Sequence, residues 1–378
     1  MRSTWELARD SIKSLKPCVH GGEVWNAEKK VSYNRNEIVD FSSSINPLGP
    51  SQKALEAIGK NLGSIQIYPD SNSEWLREAI ATSFGEIGSN NVIVGNGSTE
   101  LIYLFAETFL EKGEMALIPA PTFGEYEKAV KKAGGEPRHI KMTRNLGVEP
   151  NIFTRQIKDA KIVFLCNPNN PTSALIPHDT LIKIIEDALK HDVLLFLDED
   201  FLEFVDEGKQ VSLVDKISEF PNLFVLRSFT KVFGLTGLRI GYGIASEDTI
   251  EILSNAKTPW NVNCLAQVAA LASLADKEHI KKSSQVVKTE RAFLTQEIAQ
   301  LKCFSQYPAD ANFILINIKK SGFTAAQLKE KMLQQGILIR DCSSFKGLDE
   351  HHIRVAVKSR QENERLLEAF RKNLGIKT

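Results

Sequence analysis

The chain has 378 residues, of which 25% are charged, and its 47 basic and 47 acidic residues give a net charge of zero. This balance excludes the broad basic surface of a nucleic-acid-binding protein. The cysteines are scattered without a CxxC pair, which argues against a disulfide framework or a zinc site; they are Cys18, Cys166, Cys264, Cys303 and Cys342.

The first residues, MRSTWELARDSIKSLK, carry acidic side chains and no apolar core of the kind found in secretory signals. No apolar run in the sequence approaches the length of a membrane span. We therefore expect a soluble, cytoplasmic protein.

From about Asn91 to Arg239, short apolar runs alternate with amphipathic segments. The apolar runs predict strands at Val92–Val94, Met115–Ile118, Ile162–Leu165, Val193–Leu197, Leu223–Leu226 and Ile240–Ile244. The amphipathic segments predict helices that include Glu100–Glu111, Phe123–Ala133 and Thr180–Lys190. Such alternation is typical of an α/β layer with a largely parallel sheet, in which ligands bind at the carboxyl ends of the strands.

The rest of the chain has a different pattern. Residues 246–284 are predicted to be mostly helical, and from Glu290 on the pattern favours an α+β module with strands at Phe313–Ile318, Ile337–Arg340 and Ile353–Val357. We predict three parts: an N-terminal segment (1–45) joining the small domain, a large domain (46–260), and a linking helix with a C-terminal small domain (261–378).

The segment Leu226–Tyr242, LRSFTKVFGLTGLRIGY, contains the most informative lysine. Lys231 lies between an apolar strand and a Gly-rich turn, where burial would lower the pKa of its amine and allow a Schiff base with an aldehyde. Ser228 and Arg239 in the same segment are suited to bind an anion. Together these groups favour an aldehyde that carries a phosphate, such as pyridoxal 5'-phosphate.

Two further segments have the features of a cofactor site. The turn GNGST, with Gly97, Ser98 and Thr99, follows a strand and opens a helix, where free N–H groups bind phosphate. Taken alone, such a turn is more often ordinary turn chemistry. Phe123 in PAPTFGEY could present its ring to a planar ligand, although an ordinary core phenylalanine is the simpler interpretation.

Two polar residues end apolar strands. Asn170, in the rigid loop CNPNNPTSAL, can donate its amide to a phenolate-like oxygen, although Asn-Pro pairs usually form turns. Asp198 ends LLFLD, where a carboxylate is costly unless a cation such as a protonated pyridine nitrogen accompanies it. A helix N-cap or a metal ligand is the alternative, although no His or Cys lies nearby as a transition-metal site would require.

The order and spacing of these elements resemble the fold-type-I pyridoxal-phosphate enzymes of the aminotransferase superfamily, over essentially the whole chain. The resemblance implies an aspartate aminotransferase-like fold. It implies that Lys231 binds the cofactor aldehyde, Asp198 the pyridine nitrogen and Asn170 the ring hydroxyl, with Phe123 stacked on the ring. Side chains of Ser98, Thr99, Ser228 and Arg239 would hold the phosphate. Tyr68, in IYPD, would reach the cofactor of a neighbouring subunit, which implies a homodimer with shared active sites.

The two ends of the chain distinguish better than the cofactor site between families of this superfamily. His20-Gly21-Gly22, the loop DFSSSINPLGP and the ending ILIRDCSSFKGLDEHHIRVAVKS resemble the L-threonine-O-3-phosphate decarboxylases of cobalamin biosynthesis. Histidinol-phosphate aminotransferases share the cofactor site and are the alternative family, and residues alone do not decide between decarboxylation and amino transfer. A sensor domain of a transcription regulator is disfavoured, because fewer than fifty residues precede the fold and the net charge is zero.

The resemblance also implies a substrate site. Arg354 matches the arginine that binds the α-carboxylate, and Arg340 and His20 match positions that bind the substrate phosphate. Without the resemblance, Arg354 is a strand-edge charge and His20 an ordinary loop histidine. In the DFSxNINPLG form of the N-terminal loop an asparagine stands where this chain has Ser44, so O-phosphothreonine and O-phosphoserine both remain open as substrates.

Overall fold

The computed structural model describes residues 2–85, 87–206 and 212–376. The strands are β1 Val39–Asp40, β2 Val92–Gly95, β3 Met115–Ala120, β4 Glu136–Lys141, β5 Ile162–Cys166, β6 Leu194–Asp198, β7 Leu223–Ser228, β8 Gly241–Ile244, β9 Ser305–Gln306, β10 Phe313–Asn317, β11 Ile337–Leu338, β12 Arg340–Asp341 and β13 His352–Ala356.

The helices are α1 Thr4–Leu7, α2 Asp10–Lys13, α3 Val24–Glu28, α4 Gln52–Lys60, α5 Glu74–Phe84, α6 Ser98–Phe109, α7 Gly124–Ala133, α8 Pro150–Ile157, α9 His178–Leu189, α10 Glu247–Ala256, α11 Cys264–Leu274, α12 Lys277–Ala299, α13 Ala325–Leu333 and α14 Arg360–Asn373. No helix in these ranges is both long enough and apolar enough to cross a bilayer.

The central sheet has the strand order β2-β8-β7-β6-β5-β3-β4. Strands β7, β6, β5, β3 and β4 pair in parallel, whereas β8 is antiparallel to both of its neighbours. The predicted α/β fold with a mostly parallel sheet is thus confirmed, with one reversed strand. Sequence analysis missed β4, because this edge strand has polar and partly exposed side chains instead of an apolar run.

Side chains of the buried strands alternate between two hydrophobic cores, one on each face of the sheet. Leu195 and Leu197 pack into one core, and Phe196 between them packs into the other. On that second face the ring of Phe196 lies 5.0 Å from that of Phe224, centroid to centroid. A Cβ on Gly243 would lie 2.0 Å from the Phe224 ring, so only glycine fits beside this aromatic row.

The C-terminal part forms a second sheet with the order β12-β13-β10-β9, in which all pairs are antiparallel. The N-terminal segment reaches this part, because β1 pairs with β11 in parallel, Val39 opposite Ile337. Strand β1, near the start of the chain, therefore lies beside β11 of the C-terminal part. The division of the chain into three parts remains a prediction.

Candidate active site

A cavity of about 1080 Å³ lies where the large sheet, the N-terminal segment and the C-terminal sheet meet. Several central strands end toward it, and the loops after β3 and β5 and the segment after β7 contribute to its wall. Its wall includes nine of the site residues predicted from sequence, which are His20, Ser44, Thr99, Phe123, Asn170, Lys231, Arg239, Arg340 and Arg354.

Lys231 follows β7 and is largely enclosed, with its Nζ 5.2 Å from the centroid of the Phe201 ring. Burial lowers the pKa of this amine from its ordinary value, although the carboxylates of Asp200 and Asp198 act in the opposite direction. Such an amine is more readily available in its neutral, nucleophilic form than a surface lysine.

Asp198 is the last residue of β6 and is buried below the cavity wall. Its Oδ2 accepts a hydrogen bond from the Tyr126 hydroxyl over 2.5 Å, and its Oδ1 accepts one from the Asp200 N–H over 2.9 Å. Burial, reinforced by the charge of Asp200, raises the pKa of Asp198 to about 8. A carboxyl in this state gains most from a cationic partner.

Asp200 is a second buried carboxyl that sequence analysis did not single out. Its Oδ2 accepts a hydrogen bond from Ser98 Oγ over 3.1 Å, and its Oδ1 has no hydrogen-bond partner among the described residues. Burial raises its pKa, opposed by the nearby ammonium of Lys231. The signal available in the sequence was the triplet Asp198-Glu199-Asp200 after an apolar strand.

The glycine turn after β2 packs tightly against Arg239. Gly97 has φ of +80°, and a Cβ there would lie 2.5 Å from Arg239 Nη2. On the other side of the turn, a Cβ on Gly241 would lie 2.5 Å from the backbone nitrogen of Ser98. Ser98 begins the twelve-residue helix α6, whose first N–H groups and nearby guanidinium form an environment that favours an anion.

Ser228, at the end of β7, is buried, and its hydroxyl lies 2.8 Å from Thr230 Oγ1. Thr99 follows Ser98 in α6 and lines the cavity. Phe123 precedes α7 and packs edge-on against Tyr126, with ring centroids 5.6 Å apart. Its ring therefore lies between the cavity and the aromatic core beneath.

Arg354, in β13, is buried and donates hydrogen bonds to Asn170 Oδ1 and to the Ser42 carbonyl. Its Nε is buried without a partner among the described residues. Burial lowers its pKa to about 10, and the charge of Arg340 acts in the same direction. Arg340 stands directly opposite Arg354 in the β12–β13 pair.

Arg340 is also buried, and it donates hydrogen bonds to the Val19 carbonyl over 2.7 Å and to Ser344 Oγ over 3.1 Å. His20 lies next to this segment, with its ring centroid 5.9 Å from that of Phe123. Ser44 is buried, and its hydroxyl has no partner in the described part of the protein.

Tyr68 does not line the cavity of its own chain. Its side chain is 79% exposed and packs against Trp260, which is 51% exposed, with ring centroids 4.9 Å apart. An exposed aromatic pair of this kind is typical of an interaction surface. Its contact with a neighbouring subunit stays a prediction.

The family model described as "Aminotransferase class I and II" matches residues 36–370. The chain belongs to this family. Class I and II aminotransferases use pyridoxal 5'-phosphate, which is therefore the cofactor of this protein.

Relatives within the family carry two names. Histidinol-phosphate aminotransferase of Methanosphaera stadtmanae is 34% identical over 367 residues, covering 96% of this chain and 98% of its own. A protein of Caldanaerobacter subterraneus provisionally named threonine-phosphate decarboxylase is 38% identical over 361 residues, covering 95% of each. The crystal structure of L-threonine-O-3-phosphate decarboxylase from Porphyromonas gingivalis matches with a TM-score of 0.81 and 29% identity, covering 89% of this chain and all of that one.

The residues of the cavity fit the family's cofactor. Asp198 is a buried carboxyl that forms no ion pair within 4 Å among the described residues, and the Gly97 turn leaves no room for a side chain beside Arg239. An enclosed amine, Lys231, lies in the same cavity. When bound, the cofactor supplies an electron sink for bonds broken at the substrate Cα.

Proposed function

We propose that this family member decarboxylates O-phospho-L-threonine to (R)-1-aminopropan-2-yl phosphate in cobalamin biosynthesis. The alternative substrate is O-phospho-L-serine, which would give ethanolamine phosphate. The observation that carries the proposal is the pair Arg340 and Arg354. Two buried arginines directly opposite each other on neighbouring strands repel one another, and an anionic ligand offsets that repulsion. A substrate with both a phosphate and a carboxylate meets this requirement.

Each end of the substrate is assigned to its own residues. Arg354 binds the α-carboxylate, held in place by its hydrogen bond to the Ser42 carbonyl. Arg340 and His20 bind the phosphate, and Ser44 offers its unpartnered hydroxyl to the substrate. Asn170 touches both sites, because its amide oxygen accepts from Arg354 while its NH₂ group is available to the ring oxygen of the cofactor.

The cofactor contacts are proposed as the family pattern implies. Lys231 carries the cofactor, Asp198 holds its ring nitrogen, and Phe123 packs on the ring. The phosphate is assigned to Arg239 and to the hydroxyl and turn residues, which are Gly97, Ser98, Thr99 and Ser228. Tyr68 of a second copy completes the phosphate site in a homodimer.

The chemical step then depends on two positioned groups. Arg354 would fix the orientation of the carboxylate, and with it the bond from Cα to the carboxylate, which breaks and leaves its electron pair at Cα. After carbon dioxide departs, Cα needs a proton, and the ammonium of Lys231 is the donor in the cavity. Amino transfer would instead require Lys231 to remove the proton from Cα.

Histidinol-phosphate aminotransferase is the second candidate, because most of the relatives compared carry that name. Its substrate also has a phosphate, so Arg340 and His20 would serve either reaction. The two candidates differ in the group attached to Cα of the substrate. O-phospho-L-threonine carries a carboxylate there, whereas histidinol phosphate carries a phosphorylated hydroxymethyl group and has no carboxylate to lose.

The test measures both reactions on one preparation. Purified protein loaded with pyridoxal 5'-phosphate is incubated with O-phospho-L-threonine and with O-phospho-L-serine, and carbon dioxide release is measured. The same preparation is incubated with histidinol phosphate and 2-oxoglutarate, and glutamate is measured. Carbon dioxide from a phosphoamino acid supports the proposal, whereas glutamate formation without carbon dioxide release would overturn it.

A further inference from the structure

One short segment contains His20 and contacts Arg340, the two residues assigned to the substrate phosphate. The Val19 carbonyl accepts the hydrogen bond of Arg340 over 2.7 Å. The next residue, His20, has its Nε2 2.8 Å from Oε1 of Glu125. The segment Cys18–His20, which we call the N-terminal strap, thus lies between the C-terminal sheet and α7 at the wall of the cavity.

Glu125 is the point at which the strap is attached to α7. The residue is only 4% exposed, and its carboxylate is surrounded by hydrogen-bond donors. His20 and the Tyr103 hydroxyl lie at its two oxygens, and Lys128 Nζ lies 3.9 Å from Oε2. Burial disfavours the charge of this carboxylate, but the hydrogen bonds outweigh it and lower the pKa of Glu125 to about 2.

Cys18, at the start of the strap, lies within the electrostatic influence of the same carboxylate. Burial, together with the charge and hydrogen bond of Glu125, raises the pKa of the Cys18 thiol to about 12. The thiol therefore stays protonated and can donate to the carboxylate. The charge of Glu125 thus acts on Cys18, and the hydrogen bond of His20 attaches the strap to this carboxylate.

We propose that Glu125 is a positioning residue for the substrate phosphate: it fixes the N-terminal strap so that His20 and Arg340 meet the same phosphate. The inference rests on the proposed assignment of these two residues to the phosphate. With Nε2 directed to Glu125, Nδ1 is the ring nitrogen of His20 that is left to face the phosphate. Without the carboxylate, the strap becomes ordered only when the ligand binds. The entropy cost of that ordering weakens the binding of ligands that carry the phosphate.

The experiment compares a matched pair of product-like ligands, ethanolamine phosphate and ethanolamine, in the holoenzyme. Glu125→Gln preserves the length of the side chain but removes its charge. Calorimetry is expected to give a dissociation constant for ethanolamine phosphate that rises about tenfold, the size of one charged hydrogen bond. The value for ethanolamine is expected to stay within about twofold. With an active substrate, KM rises and kcat changes little.

Glu107→Gln is the control for loss of an acidic residue. Glu107, in α6, forms an ion pair with Lys132 of α7 over 2.6 Å and does not line the cavity. This variant should leave both dissociation constants unchanged. If Glu125→Gln fails to fold, Tyr103→Phe removes one donor from the carboxylate and should weaken ethanolamine phosphate alone, by about two- to threefold.

A double variant separates positioning from general structural support. If Glu125 acts through His20, adding Glu125→Gln to His20→Ala costs little further affinity for ethanolamine phosphate. Independent, additive losses, or an equal loss for both ligands, would overturn the inference. Because these are binding measurements, they remain decisive even if the wild-type protein releases no carbon dioxide and the proposed reaction is wrong.

Discussion

Ser98 and Asp200 lie 102 residues apart in the chain, and the Ser98 hydroxyl donates a hydrogen bond to Asp200 Oδ2 over 3.1 Å. This bond joins the start of α6, where an anion is favoured, to the loop after β6. Asp200 in turn influences Asp198, since the charge of Asp200 acts with burial to raise the pKa of Asp198. The proposed phosphate and ring-nitrogen sites are therefore electrostatically connected before any ligand binds.

Asp198 should make the stability of the cofactor-free protein depend on pH. Its pKa is about 8 in the folded protein against an ordinary 3.8, so folding favours the protonated acid. The penalty for ionisation is absent below about pH 4 and grows as pH rises toward 8, by at most about 1.4 kcal/mol per pH unit. Relative to wild type, apo Asp198→Asn should become progressively more stable over this range, as measured by urea unfolding.

A constant difference between the two proteins from pH 4 to pH 8 would contradict this assignment. Cofactor affinity should change in the opposite direction to the stability of the apo protein. The asparagine variant cannot balance a protonated ring nitrogen, so its affinity for pyridoxal 5'-phosphate should fall even where its apo form is the more stable protein.

Lys231→Ala should abolish covalent attachment of the cofactor. Wild-type protein treated with borohydride is expected to retain pyridoxal phosphate through denaturation, and mass spectrometry should find it on Lys231. The matched control is Lys257→Ala. Burial also lowers the pKa of Lys257, but this lysine donates to the Ser71 carbonyl and lies away from the cavity. Retention of the label in Lys231→Ala would refute the assignment.

Gly243→Ala should destabilise the large domain without altering ligand specificity. The added Cβ would lie 2.0 Å from the Phe224 ring, which is itself stacked on Phe196. Overpacking of this kind costs about 1–3 kcal/mol, and urea unfolding of the apo protein measures it. Gly63→Ala is the control, because a Cβ there meets nothing within 4 Å. Equal stability of the two variants would show that the aromatic row adjusts freely.

Sequence patterns predicted the central strands well because these strands are buried on both faces and therefore read as continuous apolar runs. Strand β4 was missed since its exposed edge position allows polar residues. The reversal of β8 was also missed, because strand direction depends on partners distant in sequence and leaves no mark on the apolar pattern.

The same division holds in the cavity. Lys231, Asp198 and the Gly97 turn were predicted as cofactor-site residues because each follows a strand in a recognisable local pattern. Glu125 and Asp200 were not, because their importance depends on partners such as His20 and Ser98, each about one hundred residues away in the chain. Local sequence shows a carboxylate, but only the fold shows what donates to it.

Gly97→Ala should weaken cofactor binding through Arg239. The new Cβ would lie 2.5 Å from Arg239 Nη2, and φ of +80° at this position is unfavourable for alanine. Arg239 must then move away from the start of α6, so we expect the dissociation constant of pyridoxal 5'-phosphate, followed by its absorbance, to rise at least about tenfold. Gly237→Ala is the matched control, because it lies two residues from Arg239 and a Cβ there meets nothing within 4 Å. If both alanine variants bind the cofactor as wild type does, the close contact between the turn and Arg239 does not contribute to the phosphate site.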